Sequence, residues 1–427
     1  MKSLDDIAAA LQGYDPQALS VSQVGTFLAE LVHPLSADES QDVYLFDALG
    51  RILAQDVVSP ISVPAHNNSA MDGFAFDASQ LVSDQPLTLR VVGTALAGKA
   101  WQGKVNTGEC LKIMTGAILP DGLDTVVPQE FVQVASAQDI TTITLPPNLV
   151  KAGDNRRLAG EDLMQGQPAL KAGQALTPAA LGLIASLGLP DVRVHRQLRV
   201  AYFSTGDEVL SLGEPPREGA VYDSNRFTVF GLLSRLGCEV IDMGVVRDDP
   251  ALLEAAFANA AQVADAIITS GGVSVGEADF TKAMMKKLGD VAFWKIAMRP
   301  GRPMAVGRIG KSVLFGLPGN PVAVMVTFLA FVRPALLRMM GSTAQPAPLL
   351  RAKCLEPLRK KAGRTEYQRG FVDSAPDGSL QVRTTGNQGS GVLSSMVHGN
   401  GLIVLHHSQG HVAIGDEVDV LMFDGAI

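Results

Sequence analysis

Between about residues 190 and 340, strand-like and helix-like segments alternate, and this rhythm constrains the fold more than any other feature of the 427-residue sequence. LRVAYFSTG reads as a buried strand ending in a Gly turn, and NRFTVFGLLSRLG as the helix after it. CEVIDMGVV, DPALLEAAFANAAQ, ADAIITSGG, FTKAMMKKLG and SVLFGLPG continue the pattern, and NPVAVMVTFLAFVRPALLRMM closes it. Crossovers of this length join parallel strands, so a doubly wound parallel sheet with helices on its faces is expected over 190–340.

The flanks have a different character. Residues 4–11 and 21–32 carry helical periodicity, and a third helix is expected through LFDALGRILAQDV. Over 60–147, short β-prone pieces such as LTLRVVGTAL, CLKIMTGAI and ITTITL are separated by Gly, Pro and Asp turns. Helix-prone sequence returns at TPAALGLIASLG. The expected layout is a discontinuous helical domain (1–59 and 148–189), a β domain inserted at 60–147, the α/β domain, and a C-terminal β domain over 341–427. The fold class is therefore multi-domain α/β plus β, consistent with a chain too long for one core.

A net charge of −8 argues against a phosphate-tracking nucleic-acid binder. Cys110, Cys238 and Cys354 are odd in number and without CxxC spacing, which suits buried thiols in a reducing compartment. MKSLDDIAAALQ places acids where a signal peptide has its apolar core, and PVAVMVTFLAFV falls short of the roughly 20 residues that span a bilayer. A cytoplasmic location away from membranes is expected.

In an open parallel sheet, ligands bind beyond the carboxyl ends of the strands. FSTGDE, VRDDP, TSGGVSVGEADF and FGLPGNPVA all fall at strand-to-helix turns. The 271–276 loop is the best phosphate cradle; it is neither a Walker A loop nor GxGxxG. Glu208, Asp248 and Asp279 are expected at one edge of the sheet. Carboxylates beside a phosphate-type anion require a hard cation between them, and Mg²⁺ fits. Asp207 and Asp249 read more simply as helix caps. Lys295, Arg299 and Arg302 cluster in WKIAMRPGRP, where Pro300-Gly301 makes a rigid turn and a fixed anion site plausible. A run of basic residues at 359–369 and Arg156-Arg157 read more simply as solvated faces. His406, His407 and His411 match no standard zinc spacing. The residues alone reach a Mg²⁺-assisted enzyme of phosphate chemistry.

Nine segments, in order and spacing, resemble the MoeA-type molybdopterin molybdenumtransferases, relatives of the gephyrin E domain. They are PAHNNSAMDGFAF, IMTGAILPDGLDTVVPQE, NRRLAGED, FSTGDEVL, VYDSNRF, TSGGVSVGEADFTK, WKIAMRPGRP, LPGNPVA and YQRG. The resemblance implies insertion of molybdate into adenylyl-molybdopterin with release of AMP, assisted by a divalent cation, in a homodimer whose site lies between the sheet domain of one subunit and the β insertion of the other. It implies functional acids at Asp72, Asp162, Glu208, Asp248 and Asp279, with Thr115 as polar support. Ser270, Gly271, Gly272, Ser274 and Gly276 become the phosphate loop. Lys295, Arg299, Arg302, Pro303 and Arg369 become the anion group, with Ser390 or Ser394 of QGSGVLSS near it. Transient contact with molybdopterin adenylyltransferase follows from the shared intermediate. The sequence departs from the family at Arg299 and Arg302, where lysines are common, and at Ala323, where serine is common. Two alternatives remain. One is the preceding adenylylation step, whose enzyme lacks the long flanking domains; the other is a non-catalytic scaffold of the gephyrin E type.

Overall fold

The computed structural model describes residues 2–273 and 280–424. Among them, three six-stranded sheets organise the chain. The central one runs Glu239–Val246, Arg199–Thr205, Ala266–Ser270, Ser312–Leu317, Pro303–Ile309, Gly289–Lys295. The first four strands are parallel, as the β–α rhythm requires. The last two are antiparallel. The sheet is therefore mixed, and the segment read only as a basic cluster, WKIAMRPGRP, joins the two strands of its antiparallel edge. Trp294 is buried from this edge, packing edge-on against Phe27 with ring centroids 4.8 Å apart.

That contact relocates the N-terminal helices, Leu4–Ala10 and Val21–Leu31. Both begin with a Ser capping box, at Ser3 and Ser20. Their apolar faces (Leu4, Ile7, Val24, Phe27, Leu31) enter the same core as Trp294, Phe315 and Phe328 of the α/β unit, rather than joining the 148–189 segment. The helix expected through residues 45–57 does not form. Only a 3₁₀ turn, Leu45–Asp47, is present; Gly50 follows at φ +76°, and the amides of Gly50 and Leu53 donate to the carbonyls of Leu176 and Gln174. Tertiary pairing with the returning chain replaces helical bonding here.

Gly73–Leu145 supplies the second sheet, ordered Thr125–Pro128, Gly73–Phe76, Glu109–Ile113, Leu87–Ala95, Ile140–Leu145, Gln133–Ala137. The third sheet closes on itself. Thr365–Ser374, Leu380–Thr384, Leu350–Cys354, Glu417–Met422 and Gly401–Leu405 pair in a ring because Thr365–Ser374 also pairs with Gly401–Leu405. Closure removes the exposed edges of an open sheet. One further short strand, Met298–Arg299, comes from the α/β unit and pairs in parallel with Thr365–Glu366. Pro321–Met339 is long and apolar enough to cross a membrane by length and composition, yet 67% of its most apolar window is buried inside the protein, with Val324, Phe328 and Leu336 in the main core.

Candidate active site

The parallel strands end at a cavity of about 430 Å³. Its wall includes Thr205, Gly206 and Glu208 from the first strand's turn and Asp248 from the second. Gly271 and Gly272 come from the third, and Gly319 and Asn320 from the turn after Ser312–Leu317. Arg299 and Pro303 from the turn at the antiparallel edge, with Gln388 and Ser390 from the C-terminal domain, close it. The larger cavity, about 870 Å³, lies between the Val21–Leu31 helix, Pro321–Met339 and the barrel, and holds none of the expected site residues.

Close backbone approach explains the glycine turn. Gly271 sits at φ +91°, and a Cβ there would lie 2.5 Å from the Thr205 carbonyl oxygen. Its N–H donates to Leu317 O at 3.2 Å, so this amide holds the sheet together instead of facing an anion. Ser270 turns inward. Its Oγ lies 2.7 Å from the Tyr202 hydroxyl and 3.1 Å from Ser204 Oγ in a buried triangle, so its side chain steadies the strand ends instead of contacting ligand. Burial pushes the Tyr202 hydroxyl up, out of the range in which it ionises. Ser274, Gly276 and Asp279 lie outside the described residues.

The main chain around Glu208 is held from several sides. Arg247 Nη1 donates to Asp207 O at 2.9 Å and Val209 O at 3.1 Å, Arg217 donates to the same Asp207 carbonyl, and Glu208 O accepts from Val221 N at 2.9 Å. Asp249 caps the Pro250–Val263 helix, its Oδ1 accepting from Ala251 N and Leu252 N. Asp207 caps no helix; its Oδ1 accepts from Asp248 N at 3.2 Å, linking the two acid-bearing turns.

The expected basic group divides. Arg299 lines the cavity. Arg302 is exposed and away from the lining; its carbonyl accepts from Ile296 N at 2.7 Å. Gly301 between them stands at φ +90°, where a Cβ would collide with Thr327 Oγ1. Lys295 is half-buried in the edge strand opposite Pro303 and also lies off the cavity. Arg369 is 1% exposed. Its Nε donates to Ser395 Oγ (2.9 Å) and its Nη2 to Gly389 O (2.9 Å), so it braces the loop that presents Gln388 and Ser390. Burial, and then the charge of Arg299, push its pKa down to about 10. Ser394 is exposed at the start of a short helix; its neighbour Ser395 makes the arginine contact.

Asp72 and Thr115 meet on the inserted β domain, outside the residues lining this cavity. Asp162 is exposed on the returning segment, with its N–H on Val63 O. Sequence reasoning missed Thr205, Asn320 and Gln388 as wall residues, and Asn225, whose Nδ2 donates to Gly319 O at 2.8 Å. All four stand inside the motifs FSTGDE, VYDSNRF, LPGNPVA and QGSGVLSS, but the bracing role of Asn225 depends on a contact across 94 residues.

Three sequence families match in succession: the MoeA N-terminal region (domains I and II) over 19–188, a probable molybdopterin binding domain over 201–338, and the MoeA C-terminal region (domain IV) over 351–423. A molybdopterin molybdenumtransferase of Haemophilus influenzae is 44% identical over 387 residues, covering 90% of this chain and 94% of that protein. This chain belongs to the MoeA family. A molybdopterin molybdenumtransferase of a Nostoc species is 33% identical over 96% of the chain and 95% of its own length. Two solved structures of a molybdopterin biosynthesis MoeA protein from Pyrococcus horikoshii superpose with TM-scores of 0.73 and 0.81, at 29% and 25% identity. Each covers 95% of this chain. The MoeA likeness thus spans the inserted β domain and the barrel as well as the α/β unit.

Proposed function

We propose that the chain inserts molybdenum into molybdopterin, taking molybdate and adenylyl-molybdopterin to molybdenum cofactor and AMP. The observation that carries this is the shared cavity, whose wall joins Glu208, Asp248 and the glycine turn at the strand ends with Arg299, which is paired to the barrel. Arg299 and the polar wall of Asn320, Gln388 and Ser390 suit an oxyanion, and Arg299 offsets the repulsion between molybdate and the substrate phosphates. Two carboxylates in a phosphate-sized cavity also suit Mg²⁺, which takes one or two carboxylates plus phosphate oxygens. Glu208 and Asp248, with Asp279, would hold it. When bound, the ion would supply charge neutralisation as AMP leaves.

Asp72 and Thr115 fit this reading in a homodimer, where the inserted domain of the partner completes the site. A cytoplasmic reaction, with adenylyl-molybdopterin delivered by molybdopterin adenylyltransferase, is the matching context. The presence of all three MoeA segments favours insertion over the preceding adenylylation. The test mixes the full chain with adenylyl-molybdopterin, Mg²⁺ and molybdate, and follows AMP and molybdenum cofactor together. Coupled appearance of both is expected, with strong loss in Asp248→Asn and Asp279→Asn. Adenylylation of molybdopterin from ATP, without molybdate-dependent AMP release, would overturn the proposal.

A further inference from the structure

Arg247 lies outside the residues that line the cavity, yet its guanidinium bridges the two acid-bearing turns. Nη1 donates to the carbonyls of Asp207 (2.9 Å) and Val209 (3.1 Å), the residues on either side of Glu208. Its own main chain leads directly into Asp248, whose N–H is held by the Asp207 carboxylate at 3.2 Å. Gly206 N–H reaches Val246 O at 3.4 Å from the other direction. A further contact, Nη2 to the Glu214 carboxylate at 3.6 Å, keeps the fork facing the 206–222 loop.

We propose that Arg247 is a positioning residue that fixes the separation of the Glu208 and Asp248 carboxylates, and so sets the affinity of the cavity for a divalent cation–phosphate pair. The physical reason is geometric. The 206–222 loop is anchored to strand Glu239–Val246 by few main-chain bonds, and a cation bridging two carboxylates is sensitive to sub-ångström drift between them. One planar guanidinium donating to two carbonyls removes a hinge motion about Glu208 that a single bond would permit. Arg217 shares the Asp207 carbonyl but is exposed and holds one side of Glu208, so it serves as the weaker brace for comparison.

This inference deepens the proposed function and rests on its cation reading. The experiment titrates Mn²⁺ into the full chain with AMP present, read by the electron paramagnetic resonance of free Mn²⁺, and measures kcat and KM for adenylyl-molybdopterin. Arg247→Ala should raise the Mn²⁺ midpoint about tenfold and lower kcat, with KM changed little. Arg247→Lys, which restores charge and one donor, should recover part of both, and Arg217→Ala should shift both less than Arg247→Ala does. If Arg247→Ala fails to fold, Arg247→Gln carries the same test. A wild-type Mn²⁺ midpoint and kcat in folded Arg247→Ala or Arg247→Gln would overturn the proposal. If the wild-type chain binds no Mn²⁺, the cation reading falls. Arg247 is then judged by kcat alone: a lysine-rescued loss supports acid positioning, and a wild-type value overturns it.

Discussion

Asp72 Oδ1 accepts two hydrogen bonds from one residue, from the amide and the hydroxyl of Thr115, both at 2.7 Å. The hydroxyl, then the amide, hold the Asp72 pKa below its ordinary 3.8. A depressed carboxylate contributes stability above the ordinary value, and that contribution is lost as pH falls through the lowered one. Thr115→Val removes the hydroxyl but keeps the shape and the amide. The Asp72 midpoint should then rise toward 3.8 in a carboxyl NMR titration, and AMP release should fall severalfold at neutral pH, because the carboxylate is less firmly aimed. An unmoved midpoint would show that the amide bond alone fixes Asp72.

The Pro300-Gly301 turn separates two arginines that the sequence placed together. With Arg299 at the cavity and Arg302 exposed away from it, the two alanine variants should differ. A charge-assisted bond is worth about 1.5–3 kcal/mol, and about 1.4 kcal/mol is a factor of ten. Arg299→Ala should therefore raise the molybdate concentration for half-maximal insertion at least tenfold, and Arg302→Ala much less. A molybdate titration at fixed adenylyl-molybdopterin decides; equal shifts would mean that Arg302 reaches the anion in the working state.

Asp72 is not among the residues lining the cavity of its own chain. If a partner's inserted domain completes the site, inactive Asp72→Ala and inactive Asp279→Ala chains should regain activity when mixed and allowed to exchange subunits. Random exchange yields heterodimers in which one site is whole. Failure to recover activity despite verified exchange would show that each chain builds its own site.

Arg369 braces a loop from inside the protein. Arg369→Met keeps most of the volume but leaves Gly389 O without its donor, while the Ser395 hydroxyl keeps its bond to Val392 O. The expected cost is about 1–3 kcal/mol in unfolding free energy, the cost of one buried group left unsatisfied. Ser395→Ala should cost less, since Arg369 keeps its bond to Gly389 O. Denaturant midpoints measure both, and a neutral Arg369→Met would remove the bracing role.

The parallel half of the central sheet was readable because its two central strands, Arg199–Thr205 and Ala266–Ser270, are largely apolar runs followed by glycine, as in ADAIITSGG. Its antiparallel edge was not, because the arginines and prolines of WKIAMRPGRP hide the strands on either side that bury Trp294 and Met304. Helical periodicity gave the N-terminal helices but not their neighbour, since the Phe27–Trp294 contact spans most of the chain. Motifs located Glu208, Asp248, Gly271 and Arg299 at the cavity wall. They gave no direction for a side chain, and so Ser270 and Arg369 were read as facing ligand when their polar atoms face the protein.

The parallel pairing of Met298–Arg299 with Thr365–Glu366 makes Arg299 a tenant of two domains at once. Its main chain is stitched to the closed barrel, while its side chain faces a cavity framed by the central sheet. A shift of the barrel would therefore act on the backbone that carries this positive charge. On the proposed reading, oxyanion affinity should then respond to substitutions in the barrel strand Thr365–Ser374 that lie outside the cavity.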